Sequence, residues 1–202
     1  PPKAYHIKQK LREDGMLLAI EGIASTSQVL KVAREHNASM TVFLAAALIA
    51  AIRKDMPLQC ETKSVVINIP VNLRKMFPSE TTRNFFGMIS ANYNFSERSD
   101  DFSEIIKKTT DDFSRGLDKD SLSARISKLT GFEKNPFVRI APLVLKNIVL
   151  RIARRLDDSK ATTVLSNVGK VEMPPKMAEH VEMFGVLAST REMQLCVCSF
   201  ED

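Results

Sequence analysis

Tryptophan is absent from this chain of 202 residues, tyrosine occurs twice and cysteine three times. With so few ring-bearing polar residues, the core falls to aliphatic side chains, and the 11 phenylalanines and 9 methionines are its large fillers. The three cysteines, Cys60, Cys196 and Cys198, cannot build a disulfide framework. An odd count of free thiols fits a reducing compartment, so a cytoplasmic location is expected. Cys196 and Cys198 stand two apart in QLCVCSF, so on a strand they share one face. Two small buried hydrophobes account for the pair. No His or Cys pair has zinc-like spacing, so no metal site is expected. Long hydrophobic runs are also missing. The most apolar stretch, TVFLAAALIAAI from Thr41 to Ile52, falls well short of the roughly 20 residues that cross a bilayer. Neither a signal peptide nor a transmembrane segment is expected. Glycine and proline are sparse, at 7 and 9, which excludes fibrous and low-complexity classes.

What is present is a globular composition, 44% hydrophobic and 26% charged, of a size suited to one domain spanning residues 1–202. The formal charge is +5, compatible with nucleic acid or with phosphate-bearing ligands. The basic residues are dispersed, however, and only RIARRL (Arg151 to Leu156) is dense. No nucleic-acid motif accompanies it, so no nucleic-acid partner is expected. The chain opens on Pro-Pro without Met and closes on a strand-like QLCVCSFED, so a piece of a longer protein is expected.

Periodicity then orders the elements. GMLLAIEG (Gly15 to Gly22) reads as a short buried strand. Ser25 or Thr26 caps a helix through STSQVLKVAREHN, and Ser39 or Thr41 opens a second, nearly all-apolar helix from Thr41 to Arg53. SVVINIPV (Ser64 to Val71) is a β-branched strand and NFFGMISANYNF (Asn84 to Phe95) a second. On the second, Phe85, Ile89, Ala91, Tyr93 and Phe95 form an apolar face. Phe86, Met88, Ser90, Asn92 and Asn94 form a face that turns polar along its length, as a cleft lining would. DDFSEIIKKTTDDFSRGL is an amphipathic helix, and KDSLSARISKLTGF continues as another. A long helix runs from Phe137 to Leu156, with Pro142 near its first turns. It is both apolar and basic, which packing on a sheet explains, and contact with a membrane surface is the other reading. ATTVLSNVG (Ala161 to Gly169) is a strand. VEMFGVLAS (Val181 to Ser189) and MQLCVCSF (Met193 to Phe200) suggest a hairpin about Thr190–Glu192. The fold class expected is mixed α/β (α+β), a mixed sheet with helices packed on it.

Chemistry is harder to locate. The three histidines, His6, His36 and His180, have no carboxylate or second histidine at motif spacing, so no catalytic residue is assigned. Ser166-Asn167, at the end of an apolar strand and followed by Gly169, could aim a hydroxyl or amide into a cleft. A strand-end turn that satisfies its own backbone explains the pair equally well.

Three segments stand out together: SMTVFLAAALIAAI; Pro70-Val71-Asn72-Leu73-Arg74 followed by Asn84-Phe85-Phe86-Gly87; and LSNVGKVEMP. In that order they resemble the C-terminal half of the coenzyme A-dependent acyltransferase superfamily, which includes chloramphenicol acetyltransferase, condensation domains and alcohol acetyltransferases. The likeness is closest to the alcohol acetyltransferase and condensation-like members and spans Ala38 to the C-terminus. It implies a chloramphenicol acetyltransferase-like half-domain, flanking a tunnel with an N-terminal half of the same enzyme. An acyl-CoA or phosphopantetheine thioester would be co-substrate and donor, and an alcohol or amine the acceptor. That family's His-His-x-x-x-Asp-Gly motif is missing from this chain, so the base belongs to the other half and this chain alone is expected to be inactive. Ser166, Asn167, Asn92, Arg74 and Asn84 would line or brace one wall of the cleft. The competing expectation is a non-catalytic binding or scaffold module with the same fold.

Overall fold

In a computed structural model the structure describes residues 3–7, 18–80, 82, 84–134, 142–186, 188 and 193–200. Helix α1 spans Thr26–Glu35, and Ser25 caps it by accepting the Gln28 N–H. It stops where Asn37 takes a positive φ of 54°, a conformation Asn tolerates better than most residues. Ser39 then caps α2 (Met40–Asp55) by accepting the Val42 N–H. Both caps satisfy backbone donors that a helix start leaves unpaired. Helix α2 buries Val42, Ala45, Ala46, Ile49 and Ile52, which recur at helical spacing.

Among the described residues the sheet has four strands: β1 (Val65–Asn72), β2 (Phe86–Tyr93), β3 (Thr163–Lys170) and β4 (Gln194–Ser199). Their order is β2-β1-β3-β4. Strand β1 pairs antiparallel with β2, in a register that sets Ile69 beside Ile89, and parallel with β3. Strand β4 adds parallel to β3. The sheet is therefore mixed, as expected. Between β2 and β3 run α3 (Phe102–Gly116), α4 (Lys119–Lys134) and α5 (Leu143–Asp158). A four-residue helix α6 (Pro175–Ala178), opened by a proline in its first turn, precedes β4.

Helices α2 and α3 cover one face of the sheet. Between helices and sheet lie Val65, Ile67 and Ile69 of β1, Ile89, Ala91 and Tyr93 of β2, Ile105 and Ile106 of α3, and Leu165 of β3, all buried. Each large aliphatic side chain removed from water there contributes about 1.5–3 kcal/mol. Arg53, near the end of α2, closes one end of this layer. It bonds Glu61 and Asp100 and lies 4.9 Å above the Phe95 ring. The bonds it donates to Glu61, then Asp100, hold its guanidinium above the ordinary arginine range. A short N-terminal stretch also joins the core, with Tyr5 buried and its N–H donating to the Ser64 carbonyl.

Three expectations are corrected. Residues 18–22 of the Gly15–Gly22 stretch form no strand. Leu18 is 66% and Ile20 88% exposed, and residues 15–17 lie outside the described ones. An apolar run becomes a strand only where a ladder receives it, and the described sheet has its two edges at β2 and β4. The described residues of the expected Val181–Ser189 strand, 181–186 and 188, are irregular, while 187 and 189–192, with the expected hairpin turn, lie outside the described residues. Strand β4 takes its ladder from β3 instead. Phe184 rests beside β4 as a loop residue, its ring 5.1 Å from that of Phe200 and its carbonyl accepting the Cys198 thiol. Finally, the helix expected from Phe137 is seen from Leu143, with 137–141 outside the described residues, and its apolar side chains do not pack on the sheet. Leu143 to Ile152 carry apolar side chains that are 49–72% exposed.

Two predictions test this packing. A Cβ built on Gly116 would stand 2.5 Å from Ile89 Cγ2, and Ile89 is fully enclosed. Gly116→Ala should therefore cost about 1–3 kcal/mol in urea unfolding, as overpacking does. Tyr93 is fully buried and donates its hydroxyl to the Ser99 carbonyl. Burial first, then the nearby Glu104 charge, pushes its phenol up from 10.0 to about 12. The neutral form belongs to the folded state, so its stabilisation is complete below pH 10 and is lost as pH rises towards about 12. An absorbance titration of the phenolate should place Tyr93 near the upper value in the folded chain and return it to about 10 in denaturant.

Candidate functional site

Strand alternation sends every second side chain to the sheet face that α2 and α3 leave open. On β2 these are Phe86, Met88, Ser90 and Asn92, all exposed. On β1 they are Val66, Asn68, Pro70 and Asn72, the first three half-buried and Asn72 exposed. On β3 they are Val164, Ser166 and Val168. One end of the face is apolar, with Phe86 54% exposed and Met88 39% exposed. Further along β2 it turns to hydroxyls and amides. The register sets Asn68 directly beside Ser90, and the Ser90 hydroxyl donates to Asn68 Oδ1 at 2.7 Å. The polar turn expected along β2 is present, while β1 sets Asn72 beside Phe86 and Val66 beside Asn92.

Arg74 sits in a 3-10 turn (Leu73–Lys75) that leaves β1. The Asn72 side chain caps that turn by accepting the Arg74 N–H at 3.0 Å. Leu73 is buried, and its N–H donates to the Phe85 carbonyl. A Cβ on Gly87 would meet Leu73 Cδ2 at 3.1 Å and Leu122 Cδ2 at 3.4 Å. The Pro-Val-Asn-Leu-Arg turn and the Asn-Phe-Phe-Gly strand start are thus two halves of one joint, with Leu73 seated over the missing side chain of Gly87. Asn84, exposed, precedes β2 at the same end. Arg74 and Asn84 therefore share the Phe86 end of the open face, while Asn92 stands at the far end of β2. The Asn92 backbone N–H, on the sheet edge, is taken by Asp112 Oδ2 at 2.9 Å. Asp112 also holds Lys108 and Arg115, so α3 shields that edge.

Ser166 and Asn167 are separated by the sheet. Ser166 lies on the open face beside Cys196 of β4, its register partner. Asn167 turns to the helix side, where its Nδ2 donates to Thr41 Oγ1 at 3.0 Å and its Oδ1 accepts the Gly169 N–H at 2.9 Å. A register shift falls between Asn167 and Gly169, and Gly169 has φ +81°, a region that glycine enters without strain. Asn167 thus ties β3 to the start of α2 across 126 positions of chain.

Asn68 of the open face, and its pairing with Ser90, escape a reading from sequence. Their hydrogen bond depends on the β1–β2 register, which alternation alone does not specify. His36 stands in an aromatic cluster with Phe43 and Phe102, on the helix side of the sheet. The open face thus offers an apolar strip and neutral hydrogen-bonding groups. Such groups orient a substrate carbonyl or amide, but they do not take a proton from an alcohol near neutral pH.

The family model described as "Phthiocerol/phthiodiolone dimycocerosyl transferase C-terminus" matches residues 23–191. No curated protein and no solved structure matches the chain. The four-stranded mixed sheet with helices is consistent with a chloramphenicol acetyltransferase-like half-domain.

The separation of Ser166 from Asn167 is testable by stability alone. Asn167→Ala breaks the tie to Thr41 and should cost about 1–2 kcal/mol in chemical denaturation. Ser166→Ala should change stability by no more than about 0.5 kcal/mol.

Proposed function

The chain belongs to the phthiocerol/phthiodiolone dimycocerosyl transferase C-terminus family, and we propose that it is the C-terminal half of an acyltransferase that moves an acyl group from a thioester to an alcohol or amine. The observation that carries this is the open sheet face, apolar at Phe86 and Met88 and lined by Asn68, Ser90 and Asn92 further along. A thioester substrate has the same division. Its acyl chain is apolar, while a phosphopantetheine arm, from acyl-CoA or a carrier protein, presents amides that pair with Asn and Ser side chains. The exposed Arg74 at the rim and the net charge of +5 favour a phosphate-bearing donor.

In this reading the face orients the donor and excludes water, and the proton is taken by a base that the N-terminal half supplies. Ser166, Asn92, Arg74 and Asn84 belong to the wall or its rim, and Asn167 holds the wall in place. The absence of a His-His-x-x-x-Asp-Gly motif from this sequence follows from that division of labour. The acceptor in this reading is a hydroxyl or amine nucleophile. The three free cysteines suit a cytoplasmic setting. Among the described residues no single helix is long and apolar enough to cross a membrane.

A thiol-release assay with acetyl-CoA and a panel of alcohols and amines tests the proposal, with this chain run beside the full-length protein. Turnover is expected from the full-length protein alone. Within it, Asn68→Ala should lower kcat/KM about tenfold, the value of one hydrogen bond to the bound donor, without moving Tm by more than a few degrees. Activity in this chain by itself would contradict the placement of the base. No turnover from either would favour a scaffold or binding module with this fold.

A further inference from the structure

Helix α5 carries an apolar stripe that the fold leaves uncovered. At helical spacing Val144, Ile148 and Ile152 form one row and Leu145 and Val149 the next. Their side chains are 72%, 49%, 54%, 55% and 59% exposed, in that order. Isolated exposed aliphatic residues need no explanation, but five adjoining ones on a single helix face do. Around the helix, Lys146 falls next to Val149 and Arg151 next to Ile148, so a cation borders the stripe on each side. In the sequence Arg154 and Arg155 continue the basic run, and acids enter only with Asp157 and Asp158 at the end of the helix.

We propose that α5 lies in the surface of an anionic lipid bilayer, with its aliphatic stripe in the acyl region and its cations at the headgroups. The stripe is wholly aliphatic and lacks the aromatic anchors that dominate protein–protein contacts. Lysine and arginine stems beside it can follow the apolar surface while their charges stay at the phosphates. A helix of 16 residues is about 24 Å long, shorter than a bilayer crossing, so it lies in the plane of the interface. The net charge of +5 adds long-range attraction to an anionic surface. The inference rests on α5 alone and not on the acyltransferase reading.

Vesicle sedimentation of the full-length protein tests it, with phosphatidylcholine vesicles beside vesicles containing about one third phosphatidylglycerol. The protein should pellet with the anionic vesicles, and high salt should weaken this. The double variant Ile148→Glu/Ile152→Glu should lower partitioning at least about tenfold. Both positions are solvent-facing, so the variant should keep its Tm and its thiol-release activity on soluble substrates. Three results would overturn the proposal: equal pelleting of the double variant, equal pelleting with uncharged vesicles, or no pelleting at all. In the last case, slow hydrogen exchange in α5 without lipid would identify a protein surface as its cover.

Discussion

The burial of one face of β1 is the constraint from which the rest of the structure follows. Val65, Ile67 and Ile69 are 0–1% exposed beneath α2 and α3, and the residues between them point the other way. A slip of one position would place Asn68 and Pro70 under the helices and expose all three apolar side chains. At about 1.5–3 kcal/mol for each large aliphatic residue, that exchange would remove much of the stability of an ordinary domain. The alternation of β1 therefore decides which face is core, and by the same act which face is presented.

Contacts between residues far apart in sequence hold this arrangement in register. Thr162 Oγ1 accepts the Val66 N–H at 3.0 Å, and the Thr162 N–H donates to the Val66 carbonyl, where the β1–β3 ladder begins. Asn167 ties β3 to α2, Leu73 fills the space above Gly87, and Ile89 fills the space beside Gly116. Each joins a strand to an element that reaches it only after the chain has folded back. They explain why small or neutral polar residues stand at positions where nothing in the local pattern requires them. Gly87 and Gly116 are places where another side chain has taken the room.

The open face and α5 are two different kinds of uncovered surface. The open face mixes apolar and amide groups across three strands, and its shape is set by rigid sheet geometry. That suits a ligand with both characters held in one orientation. Helix α5 offers aliphatic side chains of one kind, bordered by positive charge. That suits a surface without detailed shape. The two proposals thus rest on different surfaces, substrate recognition on the sheet and attachment on the helix, so either can fail without the other.

Much of the local structure was legible in the sequence because it depends on neighbours along the chain. The caps at Ser25 and Ser39, the apolar helix α2, the strands β1, β2 and β3, and the two-faced pattern from Phe86 to Tyr93 all follow from side-chain period and capping chemistry. The strands assigned to Gly15–Gly22 and Val181–Ser189 were not legible, because an apolar run does not reveal whether a ladder will accept it. Strand β4 was recognised but its partner was not, since a hairpin and a parallel crossover place the same demands on its own residues. The candidate site divides in the same way. That β2 presents Ser90 and Asn92 on one face is a property of the sequence. The meeting of Ser90 with Asn68, and of Asn167 with Thr41, were decided by tertiary structure alone, because each is an agreement between two distant segments and neither one contains it.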